Sequence, residues 1–243
     1  MKRYGITFPV QPQAVDEVRE ILSNYPTPQT RIGDDAALLA TTVFMWNATV
    51  VRVIDVDGPL ERIMAHLSAD PAIRATEASL NPYLVEPRAL DRPDAAKAFF
   101  QRAMMRPVMH RETLAGLLPA GPAHDRVRVA VRYPVQAGRG AEVAELLGIA
   151  GALPVRADRR TALASTTVLH HGDLIVRFAE VVGDLQTAQQ HLGRVVSRAP
   201  NAAQLTDLLA PGTDLTTPDG FQDFFRDHQL TVVADRRAKE AVQ

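Results

Sequence analysis

The chain of 243 residues contains no cysteine. It therefore has no disulfide, no thiolate nucleophile and no cysteine-ligated zinc or iron–sulfur site. Aromatic residues make up only 5% of the sequence, with a single tryptophan, and the formal net charge is −1. Such a charge balance gives no broad positive field, so we expect neither a nucleic acid nor a membrane as a partner.

Long apolar runs and nucleotide-binding motifs are also missing. No run of about 18 apolar residues occurs, and the N-terminal segment MKRYGITFPV has no apolar signal core. We therefore expect a cytoplasmic protein. The sequence has no dinucleotide glycine fingerprint, no Gly-Lys-Ser/Thr phosphate loop and no Gly-x-Ser-x-Gly elbow. Any oxygenase chemistry is accordingly expected to need no cofactor.

The most informative feature that is present is an internal duplication. Residues 8–100 align without a gap with residues 133–225, at a constant offset of 125. This period is too long for a solenoid and suits two small domains instead. The matching segments include Pro9-Val10-Gln11 with Pro134-Val135-Gln136, Thr41-Thr42-Val43 with Thr166-Thr167-Val168, and Phe99-Phe100 with Phe224-Phe225.

Hydrophobic periodicity predicts the same order of elements in both copies: strand, helix, two strands joined by a tight turn, helices, and a last strand. We expect the last strand, Met104–His110 or Leu230–Ala234, to close its own copy. The order is that of a ferredoxin-like unit, whose sheet has helices on one face and needs a cover on the other. We predict an α+β fold in which the two units form an intramolecular dimeric α+β barrel.

The predicted boundaries follow from this duplication. The first repeat is expected at residues 1–111, a linker rich in glycine and proline at 112–125, and the second, diverged repeat at 126–243. Because each sheet covers the other, a single chain should be the minimal barrel, and higher oligomers remain open.

Four segments of the first copy carry a family resemblance: FPVQP at Phe8–Pro12, LLATTVF at Leu38–Phe44, VVRVIDVDG at Val50–Gly58 and LNPYL at Leu80–Leu84. They resemble the SchA/CurD-like proteins of aromatic polyketide pathways. The resemblance covers roughly Tyr4–Arg106 and is weaker in the second copy. It implies work on a polyketide in the making of spore pigments or aromatic antibiotics. The layout is also similar to the dimeric α+β barrel superfamily, which includes cofactor-independent quinone-forming monooxygenases and polyketide cyclases.

Two residues of the first copy are candidate catalytic groups. His66 falls at the edge of an apolar helix face, where an imidazole could act as a general base, although it could equally have a packing role. Arg52 lies mid-strand on an apolar face, and its guanidinium needs a partner there, either a ligand oxyanion or a carboxylate. His191 and Arg177 are the less favoured equivalents in the second copy.

Substrate contacts are expected from Trp46 and Asn47 at a hairpin tip, where an aromatic ring and an amide suit a flat polycyclic substrate. Thr42 and Met64 complete the predicted binding set, with His171 as the second-copy equivalent of Trp46. His170 and His171 point to opposite strand faces and have no further ligand at a suitable spacing, so we predict no metal site.

A short basic cluster distinguishes the second copy. Arg156, Arg159 and Arg160 stand where the first copy has Arg31, Asp34 and Asp35. A solvated charge run explains the cluster most simply, but it could also receive an acidic acyl carrier protein.

The favoured hypothesis is a cofactor-independent, quinone-forming monooxygenase that acts on a polycyclic polyketide in a pocket of the first copy. The same base could instead serve a polyketide cyclase or aromatase that needs no oxygen. A third hypothesis, from a different class, is a non-catalytic binding partner of a polyketide synthase complex.

Overall fold

The computed structural model describes residues 1–26, 31–32, 35–88, 93–119, 126–149 and 157–238. They fall into two compact units: the described residues within 1–105 together with 231–238, and those within 106–230. Within the described residues, no helix is both long and apolar enough to cross a membrane.

The first unit is an antiparallel sheet with helices packed on it. Strand β4 lies between β1 and β3, with Ile6 opposite Arg52 and Val43 on its other side. Its elements are β1 (Lys2–Pro9), α1 (Val15–Ser23), β2 (Arg31–Ile32), β3 (Ala36–Trp46), β4 (Thr49–Asp57), α2 (Leu60–Ala69), α3 (Pro71–Leu80), α4 (Pro93–Ala103) and the start of β5 (Met104–Glu112).

The second unit repeats this arrangement. Strand β8 lies between β6 and β7, and the main body of β5 pairs with the outer side of β7. Its elements are β6 (Val127–Pro134), α5 (Gly140–Ile149), β7 (Ala162–His171), β8 (Leu174–Val182), α6 (Leu185–Val196), α7 (Ala202–Asp207) and α8 (Pro218–His228).

Small irregularities recur at the offset of 125 and confirm the duplication. The register of β3 and β4 shifts between Leu38 and Ala40, and that of β7 and β8 shifts between Leu163 and Ser165. Gly58 and Gly183 both have positive φ, 85° and 86°. A side chain at either position would collide with a carbonyl oxygen, of Asp35 or Arg160, so both copies require glycine here.

The closing strands differ from the prediction. Only Met104 and Met105 of β5 pair with β1, and the rest of β5 belongs to the second unit. The strand β9 (Thr231–Arg237) belongs to the first unit, where it pairs with β3 from Ala40 to Met45. Each compact unit is thus completed by the last strand of the other sequence repeat. The α+β class with two ferredoxin-like repeats is confirmed.

Each sheet carries helices on one face, and the alternation of its strands decides which residues face them. On β4, Val50 and Ile54 are buried in the core of the first unit together with Ile63 of α2. Arg52 lies on the same face, between these two apolar residues. The opposite face holds Arg3 of β1, which donates Nε and Nη2 to Asp55 at 2.6 and 2.9 Å in a buried pair.

Candidate functional site

A cavity of about 560 Å³ lies between the sheet and the helices of the first unit. This volume is within the usual range for small-molecule sites. Its walls include the aromatic rings of Phe8, Phe99 and Phe100 and the aliphatic side chains of Ile6 and Ile54. Such a lining suits a flat, largely apolar ligand.

Polar side chains meet at Glu77 on the cavity wall. Tyr25 donates its hydroxyl hydrogen to Glu77 Oε1 at 2.9 Å. Arg88 Nη2 lies 2.9 Å from Glu77 Oε2, and Arg52 Nη1 lies 3.7 Å from Oε1. The Arg52 guanidinium also lies over the Tyr25 ring, 4.3 Å from its centre. Three elements distant in sequence therefore converge on one carboxylate.

Local sequence explains where Glu77 lies. Asp70 caps α3 by accepting hydrogen bonds from the backbone N–H groups of Ala72 and Ile73, and Pro71 starts the helix. Ile73 and Leu80 are buried on the same helix and fix its rotation. Glu77, one turn after Ile73, is then directed towards the sheet, and its side chain is 14% exposed.

Arg88 is positioned by the segment that follows α3. The Arg88 N–H donates to Asn81 Oδ1 at 2.6 Å. Gln11 Nε2 donates to the carbonyl of Pro82, and Leu84 forms a bridge with Val10 at the end of β1. These contacts tie the irregular segment to the sheet, so the Arg88 side chain enters the cavity from a fixed backbone.

Burial governs the electrostatics of this group. It raises the pKa of Tyr25 to about 12, with Arg52 acting in the opposite direction and Glu77 adding to the rise. Tyr25 is therefore a neutral hydrogen-bond donor at physiological pH. Burial lowers the pKa of Arg88, and Glu77 counteracts it. For Arg52, burial acts to lower the pKa, but Tyr25 and Glu77 together raise it above the ordinary arginine value.

The corresponding space in the second unit is almost filled. Its cavity measures about 40 Å³ and is lined by Tyr133, Arg177, Phe221 and Phe224 among others. Arg177 donates Nε to the Tyr133 hydroxyl at 2.9 Å. At the positions of Glu77 and Arg88 this copy has Ala202 and Thr213, so the carboxylate and the second guanidinium are lost.

Two of the residues predicted from sequence line the first cavity: Arg52 and Met64. The other predicted residues of this copy are placed elsewhere. His66 is half-buried on α2 and is not among the lining residues. Thr42 is buried on the opposite face of β3, where its hydroxyl donates to Asp235 Oδ1 at 2.8 Å.

Trp46 and Asn47 lie at the β3–β4 turn, away from the lining of the cavity. Asn47 has a φ of 48°, so it serves the turn, as does Gly172 with a φ of 60° in the second copy. The structure therefore brings only some of the site residues predicted from sequence to the cavity.

The second-copy candidates are also dispersed. His191 lies on α6, and its Nε2 is buried without a hydrogen-bond partner among the described residues. His171 is exposed at the end of β7. Arg159 and Arg160 are exposed, whereas Arg156 lies outside the described residues, so the carrier-protein contact stays a prediction.

Sequence reasoning missed Tyr25, Glu77 and Arg88. The alignment of the two repeats contained a usable signal, because these residues align with Ala150, Ala202 and Thr213 of the second copy. Polar residues kept in one copy and replaced by small ones in the other mark a difference in function more directly than shared residues do. In the part of the chain that the structure describes, no group of three or more histidine or acidic residues could hold a metal ion.

A family model described as the SchA/CurD like domain matches the chain twice, at residues 1–113 and 126–237. The chain belongs to the SchA/CurD-like family. The resemblance seen in the first copy is confirmed, and the second copy matches the same domain. This SchA/CurD-like chain is 35% identical over 239 residues to the 42.8 kDa protein in the whiE locus of Streptomyces coelicolor, with 97% of the chain and 59% of the relative aligned.

Two further relatives come from other Streptomyces species. Protein SchA of Streptomyces halstedii is 32% identical over 97% of this chain and 61% of its own length. The polyketide synthase CurD of Streptomyces cyaneus is 36% identical over 76% of this chain and 49% of its own length. The SchA/CurD-like chain thus spans less than two thirds of the length of these curated relatives.

Three solved structures align with most of this chain at low sequence identity and with low TM-scores. A candidate monooxygenase from Fusobacterium nucleatum aligns with 97% of this chain and 93% of its own, with a TM-score of 0.42 and 10% identity. A candidate monooxygenase from Lactobacillus acidophilus aligns with 98% of this chain and 97% of its own, with a TM-score of 0.41 and 7% identity. An anthrone oxidase-like protein aligns with 98% of this chain and 93% of its own, with a TM-score of 0.37 and 11% identity.

Proposed function

We propose that the chain is a cofactor-independent monooxygenase that oxidises a polycyclic aromatic polyketide to a quinone in the cavity of the first unit. The observation that carries the proposal is a cavity of about 560 Å³ with aromatic walls and buried guanidinium groups. Its family relative CurD is named as a polyketide synthase, which supports a polyketide as the ligand class.

The proposed chemistry uses the substrate as its own electron donor. In an anthrone-like substrate, the ring methylene lies across the central ring from the carbonyl and is conjugated with it through the flanking aromatic rings. This methylene loses a proton to give an enolate, whose former methylene carbon reduces dioxygen and forms a peroxide. Loss of water breaks the O–O bond and leaves a carbonyl. One oxygen atom enters the ring, the other leaves as water with the two methylene hydrogens, and the carbon is oxidised while dioxygen is reduced.

The cavity residues supply the protonic and electrostatic part of this reaction. The Arg52 guanidinium stabilises the enolate oxygen. Once Glu77 has taken the substrate proton, neutral Tyr25 turns its single hydroxyl hydrogen from Glu77 to the same anion. Among the described residues that line the cavity, Glu77 is the carboxylate and accepts the substrate proton. The role of base is given to Glu77 because His66 lies outside the lining.

Dioxygen dependence tests the proposal. The chain is incubated with an anthrone under air and under argon, and quinone formation and oxygen uptake are followed against a protein-free control. We expect turnover only under air, with one atom of labelled dioxygen in the product. Oxygen-independent ring closure of a poly-β-ketone would favour the cyclase alternative, which the Tyr25–Glu77 pair could also serve as acid and base. Binding of polyketides without any turnover would favour the non-catalytic partner.

A further inference from the structure

We infer that Arg88 binds a carboxylate of the substrate, so that the cavity takes a free polyketide acid and not the carrier-bound thioester. This inference rests on the proposed function, since it names the substrate class of the same cavity. Arg88 is 9% exposed as a whole residue, and its side chain is 5% exposed.

The first step of the argument is the balance of charge. Among the described residues that line the cavity, three are arginines, Arg52, Arg74 and Arg88, and a single glutamate opposes them. Arg52 and Arg88 are both largely buried, where an unbalanced charge is costly and an incoming anion is strongly favoured. A neutral ligand would leave this excess of positive charge unchanged.

The second step is the hydrogen-bonding state of Arg88. Its guanidinium lies between two rings, 4.8 Å from the centre of Phe8 and 4.7 Å from that of Phe99. Among the described residues, Nε is buried without a hydrogen-bond partner, whereas Nη2 is ion-paired with Glu77 Oε2 at 2.9 Å. A buried donor normally has an acceptor, so Nε favours a ligand that offers one.

The chain itself shows what this edge of an arginine binds. Arg3 uses Nε and Nη2 to hold both carboxylate oxygens of Asp55, at 2.6 and 2.9 Å. On this edge of Arg88, Nε makes no hydrogen bond within the described part of the chain, and Nη2 is ion-paired with Glu77. A planar guanidinium edge fits a carboxylate better than a thioester, which has neither the charge nor the second acceptor oxygen.

The second copy supports the assignment by contrast. Thr213 takes the place of Arg88, Ala202 that of Glu77, and the cavity there is about 40 Å³. The buried guanidinium between two rings therefore accompanies the open cavity and is absent from the filled one.

Binding of a matched pair of probes tests the inference. The probes are a dihydroxyanthraquinone carboxylic acid and its methyl ester, which share ring system and shape but differ in charge. Affinities are measured by calorimetry at neutral pH on the full chain. We expect the acid to bind roughly 10- to 100-fold more tightly than the ester, the effect of a charged hydrogen bond.

Three variants locate the effect. Arg88→Met should abolish the preference for the acid, so that the acid and the ester bind with equal affinity. Arg88→Lys retains the charge without the planar edge and should keep only part of the preference, and it serves if the methionine variant does not fold. Arg62→Met is the matched control, since Arg62 is exposed on α2 of the same unit and lies outside the cavity lining.

Each outcome decides a separate point. Equal affinities for acid and ester would overturn the inference while leaving the proposed function standing. Binding of neither probe would overturn both. A preference for the acid that survives in Arg88→Met at an unchanged melting temperature would show that Arg88 does not bind the carboxylate.

Discussion

At the scale of single residues, the two copies differ in what Arg52 and Arg177 contact. Arg52 faces Glu77 and Tyr25, whereas Arg177 donates to the hydroxyl of Tyr133. Tyr133 occupies the position of Phe8. The added hydroxyl gives Arg177 a neutral partner within its own core, so this arginine needs no ligand.

Tyr25 gives a pH-dependent prediction. Its pKa is raised from 10.0 to about 12, so between these values the unfolded chain loses the phenol proton while the folded chain keeps it. The stabilisation is fully present below pH 10 and is lost as the pH rises towards 12. Two pKa units correspond to about 2–3 kcal/mol of unfolding free energy.

The measurement compares the full chain with Tyr25→Phe in urea unfolding across this alkaline range. We expect the stability advantage of the tyrosine chain over the variant to shrink by about 2 kcal/mol, whereas the titration of the other tyrosines cancels in the comparison. A difference that does not change with pH would mean that Tyr25 titrates near its ordinary value.

His66 gives a second residue-scale prediction. Because the side chain does not line the cavity, His66→Ala should reduce turnover far less than the roughly 10²–10⁴-fold typical of losing a general base. Glu77→Gln, which keeps the size of the side chain, should cause a loss of that order. Steady-state rates on the same anthrone decide between them, and a large loss in His66→Ala alone would return the role of base to the histidine.

At the scale of elements, sequence pattern predicted much of each unit. The strands β3 and β4, the helix with Leu60 and Ile63, and the side of β4 that carries Arg52 all follow from periodicities of 2 and 3.6. The exchange of β5 and β9 does not follow. The periodicity of a strand does not specify which sheet it joins, so tertiary pairing decides this for β5 and β9.

The residues of the candidate site were likewise predictable from the sequence only in part. Arg52 was identifiable because an arginine on an apolar strand face breaks a pattern. Glu77 and Arg88 break no hydrophobic pattern, since a glutamate on a helix and an arginine in an irregular segment are common. Their meeting depends on the Asp70 cap and the Asn81 contact, which sequence periodicity does not report.

The strand exchange gives an element-scale prediction. Residues 1–111 alone lack β9 and leave the β3 edge from Ala40 to Met45 without its partner. Because an open edge of this length promotes association, the fragment should self-associate. The same fragment with residues 231–238 joined through a flexible linker should associate less in sedimentation, and its β3 amides should exchange more slowly. A monomeric, well-folded 1–111 would contradict the requirement for β9.

At the scale of the whole chain, duplication allows the two units to diverge in different ways. Core positions are constrained by close packing, and both units keep paired phenylalanines and the same strand register. The polar cavity positions differ instead, because Tyr25, Glu77 and Arg88 correspond to Ala150, Ala202 and Thr213 in the second copy. Under the proposed function, the two arginines at the shared position have separate roles: Arg52 contacts the ligand, and Arg177 contributes to stability through Tyr133.

These separate roles predict that one substitution of a matched pair lowers turnover, whereas the other lowers stability. Arg52→Met should lower turnover roughly 10²–10³-fold, the loss typical of removing a donor to a developing oxyanion. Arg177→Met should leave turnover nearly unchanged but reduce stability by about 1–3 kcal/mol, because the buried Tyr133 hydroxyl loses its partner. Initial rates and urea unfolding, measured on both variants, test this prediction. Equal losses of turnover in both, at matched stability, would show two working sites, and catalysis could then no longer be assigned to the first unit alone.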